Sequence, residues 1–544
     1  MKKNKPTRKT RIIPVLMSAV LMLSACGSVP AETAADQDAE GTVTDGSAED
    51  VSQEINEMTY DYTMKLSDLP TGDVSAPGVA VHDPSILKAD GKYYIYGSHM
   101  SAAVSDDLKS WKMIADGYSR TNSVYGQIYE VADEAFAYAG SKDSIIPTDD
   151  KSVHVWAPDV IYNEKTGQYW MYYCTSSTWN ASNLCMAISD SPEGPFIWQK
   201  ALIYSGFHND ETIAATNVLD FVDEDYVRSH YMHGLEYNYN DYPNAIDPTV
   251  LFDADGRLWM VYGSWSGGIF LLELDPETGD VIHPEPDEAN NVDPYFGKKL
   301  LGGGHMSIEG PYIMYDEADG YYYLYVSYGG LVSAGGYQMR VFRSATIDGD
   351  YEDMNGKVPY KGDDHAKFGL KLSGNYKLPS LSVAYMATGH NSAFIDGDGK
   401  SYVVYHTRFN DNGEGHSPRA HQVIVNEDGW PCELPYQTSG ETIAEEGYAL
   451  DEVTGRYFVV NQGHAINADI ANPVILYLNS DGTVSGRESS GTWNMKGGTP
   501  YVSVAIDGIE YKGVFCAMKD EAGIDAMTFS AVGDNTTVWG VKYN

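Results

Sequence analysis

Asp83, Asp247 and Glu309 occupy matching places in a phrase that the chain repeats. Asp83 opens "DPSILKADGKYYIYGS", Asp247 opens "DPTVLFDADGRLWMVYGS", and Glu309 stands one residue before "GPYIMYDEADGYYYLYVS". Two further copies differ at the same place. "VWAPDVIYNEKTGQYWMYYC" sets Trp156 and Asp159 around its Ala-Pro, and "GHNSAFIDGDGKSYVVYHTR" sets His390 there. Asp-Pro by itself is common at turns, so Asp83 or Asp247 alone would read as a turn cap. Three acids brought to one point are different, because like charges disfavour one another's ionisation. A purely structural repeat has no use for that cost. Proton-transfer chemistry does, since it needs one carboxyl kept protonated beside another that is ionised.

The elements that must position these residues follow from the same phrases. Each reads as a small or polar entry, a short strand, an Asp-Gly-type turn and an aromatic strand, which is hairpin text. Several run on into an edge-type strand such as "LCMAISDSPEGPF" or "YQMRVFRSATIDGDY". Five such units of about 60 to 90 residues predict an all-β fold, a five-bladed β-propeller over residues 73–435, with a sandwich as the competing arrangement. The innermost strands of a propeller line one channel, so five similar entries converge at one mouth. From residue 436 to 544 the runs "RYFVVNQG", "VILYLNSDGTVSG" and "TPYVSVAIDGIEYKGVFCAMK" predict a smaller all-β domain, a barrel or a sandwich. Its composition does not mark it for carbohydrate binding, and packing against the propeller as a stabiliser is at least as good a reading.

Of 544 residues, 77 are acidic and 36 basic, a formal net charge of -41. That excludes nucleic acid as a partner, since phosphate neutralisation needs clustered Lys and Arg. It equally excludes charge attraction of the folded part to a membrane. Residues 1–26 carry a basic leader, a short apolar run from Ile12 to Leu23, and "LSAC" ending at Cys26. A run this short is the core of a signal peptide. Small residues before Cys26 predict a lipoprotein-type anchor, with ordinary secretory cleavage as the alternative. Either way the expected location is extracytoplasmic. Residues 27–72, acidic and poor in aromatics, are expected to form a disordered spacer. The remaining cysteines, Cys174, Cys185, Cys432 and Cys516, show no metal-site spacing, and their pairing stays open.

The ordered set "HDPS", "WAPD", "NAIDP", "GSWSGGI", "SIEGP" and "GHNS" resembles family 43 of the glycoside hydrolases, most closely its endo-1,5-α-L-arabinanases, over residues 83–408. The resemblance implies cleavage of internal α-1,5-L-arabinofuranosyl linkages of arabinan with inversion. Inversion needs two carboxyl groups about 6.5–9.5 Å apart, so that a water fits between base and sugar. By the same resemblance Asp83 is the general base, Glu309 the general acid, and Asp247 the third acid that orients Glu309 and raises its pKa. His390 matches the position that gives one ligand to a channel metal, with waters filling the other places, which implies Ca²⁺. His406 is a candidate partner behind it, with a core histidine the better reading. Trp156, beside Asp159, and Trp265 are expected as platforms for furanose rings. Asn244, Ala245, Ile246, Ser264 and Ser266 match sugar-contacting stretches, and so does the segment holding Asn180, where the family tends to have Gly.

Two other functions stay open at this level. One is an exo-acting α-L-arabinofuranosidase or β-xylosidase of the same family. The other is a non-catalytic glycan-binding surface lipoprotein whose acids only hydrogen-bond sugar. A monomer is expected.

Overall fold

The structure, a computed structural model, describes residues 60–74, 78–131, 133–139, 154–176, 181–411 and 413–543. The signal segment with Cys26, the spacer as far as residue 59, and Asn180 lie outside the described residues.

Every entry phrase opens a strand: β1 (Ser85–Ala89), β2 (Val155–Asn163), β3 (Thr249–Phe252), β4 (Ile308–Asp316) and β5 (Tyr385–Ile395). Each is the first strand of a sheet whose next two strands add antiparallel in chain order. The hairpin text explains why. After β1, Asp90 and Gly91 both take left-handed backbone, as a two-residue hairpin requires, and Ala89 pairs with Lys92 across them. The aromatic second strands are buried through Tyr94 and Tyr96, Tyr172 and Tyr173, and Tyr323 and Tyr325. The first strands touch in order, β1 to β2, β2 to β3, β3 to β4 and β4 to β5, and β5 returns to β1. This is a β-propeller-like arrangement. Four of the sheets stand separately, while the sheet begun by β4 runs on into the C-terminal domain, where Lys371 pairs with Thr536.

The C-terminal domain is a barrel. Eight antiparallel strands follow from β6 (Gly455–Asn461) to β13 (Thr536–Lys542), and β13 pairs with both β6 and the strand Asp525–Gly533 before it, which closes the ring. Its interior is filled by Tyr457, Leu476, Trp493, Phe515 and Phe529 among others. The outside of the barrel packs on the propeller. The Trp539 indole and the Ser530 hydroxyl both donate to the carbonyl of Glu433 at 2.7 Å. The barrel segment after β6 also meets the sheet begun by β4. There Gln338 donates to the carbonyl of Ala465 (3.0 Å), buried Arg340 to that of His464 (2.6 Å), and Lys371 to that of Gln462 (2.9 Å).

The predicted spacer is too long by about a dozen residues. Tyr60 and Tyr62 pack edge-on against Tyr477 of the barrel at 4.8 and 5.7 Å, and the Asp61 N–H donates to the Tyr477 hydroxyl. Gly72 bonds the carbonyl of Ser380. Acidic composition suggested a free chain here, but two tyrosines are enough to hold it down. The four described cysteines are free and buried. Cys174 and Cys185 lie on paired strands but out of register, facing Leu184 and Tyr173.

Candidate active site

The five strand entries share one backbone feature. Asp83, Ala157, Asp247, Gly310 and His390 all lie in the left-handed region, at φ of 54°, 41°, 56°, 57° and 48°. For residues with a Cβ this costs about 1–3 kcal/mol each and persists only where surrounding structure holds it. The three longer first strands also bulge there, between Trp156 and Asp159, Glu309 and Tyr312, and Gly389 and Ser392. A bulge re-aims a side chain and ends regular pairing. The result is one cavity of about 350 Å³ whose walls include Asp83, Asp247, Glu309 and His390, each 8% exposed or less.

Asp83 sits among imidazoles. Its Oδ1 is 2.8 Å from His82 Nδ1, 3.1 Å from His390 Nδ1 and 3.8 Å from His406 Nδ1, while Ser98 donates to Oδ2. Burial alone would raise its pKa, but the nearby charges of His390 and His82 outweigh burial and hold Asp83 well below the usual carboxylate range. Glu309 is treated differently. Its Oε1 accepts from the Tyr337 hydroxyl at 2.7 Å, and its Oε2 from the Trp265 indole at 2.6 Å and, more weakly, from Ser264 at 3.5 Å. Those donors favour the charged form, yet burial outweighs them, and Glu309 is raised with the negative charge of Asp83 adding to the effect. Asp247 accepts one long bond from the Gly310 N–H (3.3 Å) and is pushed up to about 7 by burial, then by Glu309 and Asp83. The cavity therefore holds one carboxyl kept ionised and two pushed towards their protonated forms. That is the division of labour required of a base and an acid acting on one bond.

Of the other expected contacts, Trp156, Ile246 and Ser264 line the cavity. Trp265 is half-buried and does not line the cavity itself, and its indole N–H donates to Glu309. Asp159 is spent on the scaffold: one oxygen accepts from Ser85 and the other from the Val250 N–H (2.7 Å), so it ties β2 to β1 and β3. Asn244 and Ala245 pack at a strand end, where the Ser205 hydroxyl accepts from the Ala245 N–H (2.9 Å) and reaches the Asn244 side chain (3.4 Å). Ser266 is buried, and its carbonyl accepts from the His305 N–H. Sequence reasoning missed His82, Ser98, His99, His154, Leu331, Arg408, Glu414 and His416, all on the cavity wall, and Tyr337 behind it. His82 and Arg408 adjoin quoted motifs and could have been found there. Arg408 reaches Nε2 of both His82 and His406 at 3.2 Å and pairs with Glu414 at 2.8 Å.

Asp83 Oδ1 is buried and out of hydrogen-bond geometry with its neighbours, the kind of oxygen a cation satisfies. The Arg408 guanidinium lies against His82 and His406, so His390 is the imidazole left for a cation. Calcium prefers oxygen ligands. One imidazole and one carboxylate oxygen therefore fit it only as a largely hydrated ion.

Comparison with known proteins bears on most of the chain. Residues 231–431 match the family described as glycosyl hydrolases family 43, and residues 435–540 match its C-terminal lipocalin-like domain. An extracellular endo-α-(1→5)-L-arabinanase of Bacillus subtilis is 38% identical over 482 residues, covering 85% of this chain and 93% of that protein. A Thermotoga petrophila protein named likewise is 36% identical, with 85% and 93% covered. The crystal structure of an endo-1,5-α-L-arabinanase from Thermotoga petrophila superposes with a TM-score of 0.73 at 35% identity, covering 87% of this chain and all of that one.

Proposed function

Since the chain belongs to glycosyl hydrolases family 43 and is a glycoside hydrolase, we propose that it cleaves internal α-1,5-L-arabinofuranosyl linkages of arabinan, with inversion. The observation that carries this reading is the cavity in which Asp83 is held ionised while Glu309 is pushed towards its protonated form. In one displacement, Asp83 takes a proton from water as the water oxygen bonds to the anomeric carbon. Glu309 gives its proton to the departing glycosidic oxygen. Asp247 keeps the charge beside Glu309 adjustable, and Trp156, Ile246 and Ser264 contact the sugar. The names of the relatives from Bacillus subtilis and Thermotoga petrophila support the endo mode and an extracellular location. We read the ring of β1 to β5 as five blades, one of them merged with the barrel sheet, and the chain as a monomer anchored through Cys26.

A calcium ion on His390, mostly hydrated, would supply positive charge against the acids. Chelation is expected to lower the melting temperature and the activity, because a bound ion stabilises the folded state by mass action. His390→Ala should abolish that response. A melting curve and a rate indifferent to both treatments would leave His390 as the charge partner of Asp83.

The deciding experiment is a product time course on linear arabinan, with proton NMR of the first product. Mixed long oligomers with inverted anomeric configuration are expected. Arabinose alone from the outset would mean exo action, retention would contradict single displacement, and binding without any product would mean a glycan-binding protein.

A further inference from the structure

Glu309 is gripped by two donors of different character. The Trp265 N–H can only donate, so the oxygen it holds, Oε2 at 2.6 Å, is the poorer place for a proton. When Glu309 is in its acid form the proton therefore falls on Oε1, the oxygen 2.7 Å from the Tyr337 hydroxyl. A hydroxyl both donates and accepts and can rotate. Tyr337 can accept while Oε1 carries the proton and donate once that proton has gone.

The ring of Tyr337 has little freedom to do anything else. It is 1% exposed and stacks on His406 at 5.9 Å between centroids. On another side it lies against the backbone of Gly389, where a Cβ would come within 2.5 Å of two ring carbons. This close approach explains why glycine stands before His390. The residues after it, Gln338 and Arg340, hang from the carbonyls of Ala465 and His464, so the start of this strand is fixed from the barrel side as well.

We propose that Tyr337 is a positioning residue for the acid, one that places the transferable proton on Glu309 Oε1 and stabilises the carboxylate left when that proton moves to the leaving oxygen. This rests on Glu309 being the acid. When substrate is bound the Oε1 proton turns from the Tyr337 oxygen to the glycosidic oxygen and leaves Oε1 as the bond from that oxygen to the anomeric carbon breaks, while the Tyr337 hydroxyl turns to donate to the carboxylate left behind. An interaction that strengthens only as charge develops speeds the chemical step without tightening ground-state binding.

The test is the pH–rate profile of Tyr337→Phe in the full chain on an arabino-oligosaccharide. Loss of one hydrogen bond to a charged group should lower kcat roughly tenfold to a hundredfold while KM stays within about twofold. Removing a donor to the charged form raises Glu309 further, so the basic limb should move up by roughly one pH unit. Phe keeps the ring that packs on His406 and Gly389. Should that variant nevertheless fold poorly, 3,5-difluorotyrosine at position 337 is a stronger donor of nearly the same shape, and it should move the limb to lower pH. A basic limb that stays in place in either variant overturns the proposal, because a merely structural tyrosine would change stability and leave the limb alone. Glu309→Gln measured alongside separates the two ideas. If Glu309→Gln turns over normally, the acid has been misassigned. If it is dead and the Tyr337 variants keep the wild-type limb, only the role of Tyr337 fails.

Discussion

Glu309→Gln is expected to lose roughly 10²- to 10⁴-fold in kcat on arabinan, the range for removing a general acid, while remaining folded and still binding arabino-oligosaccharide. The retained fold follows from the donors around it. Glutamine offers one acceptor and one donor. Its carbonyl can take the Trp265 N–H, and its amide can face the Tyr337 hydroxyl, which can turn to accept. No buried group need be left unpaired. The neutral amide matches the protonated form towards which burial pushes Glu309, so the melting temperature should hold. Calorimetric titration with a short arabino-oligosaccharide checks binding, and a reducing-end assay checks turnover. Wild-type turnover would take Glu309 out of the mechanism.

Asp83→Asn should cost activity on a similar scale, for the opposite reason. Asp83 must be ionised to accept a proton from water, and its imidazole neighbours hold it so well below the ordinary range. In the wild type, kcat/KM should therefore rise with pH through the lowered pKa of Asp83. It should then fall as pH rises through the raised pKa of Glu309, which must be protonated to act. Because Glu309 and Asp247 are coupled, the basic limb belongs to the pair and not to one residue. In Asp83→Asn the acid limb should vanish from whatever activity remains, and the basic limb should persist. An acid limb unchanged in that variant would assign the base elsewhere. The imidazoles that keep Asp83 ionised also weaken it as a base, so its contribution comes mainly from placing the water.

Part of this was legible along the chain. The Asp-Gly turns and aromatic strands announced hairpins, and their recurrence announced a ring, because turn chemistry and period-two burial are local properties. The acids stood out because they recur at one place in a repeated phrase. Composition misjudged Tyr60 and Tyr62, since it averages over a segment and overlooks two rings that find a partner more than 400 residues away, Tyr477. Motif adjacency likewise placed Asp159 at the sugar, although both its oxygens bond the scaffold. Adjacency says which residues arrive together and not which way each side chain points after a left-handed turn and a bulge.

By itself, then, the sequence determined the all-β hairpin architecture and the strand entries at which Asp83, Asp247 and Glu309 would stand. Only the tertiary structure decided that Asp83 is held in its ionised form while Glu309 is pushed towards its protonated one. The two carboxyl groups have nearly the same chemistry, and what separates them is the charge of His390 and His82 beside one and burial between Trp265 and Tyr337 for the other. Those neighbours come from distant parts of the chain. Protonation is set by what lies within a few ångströms in space, and no local pattern encodes that.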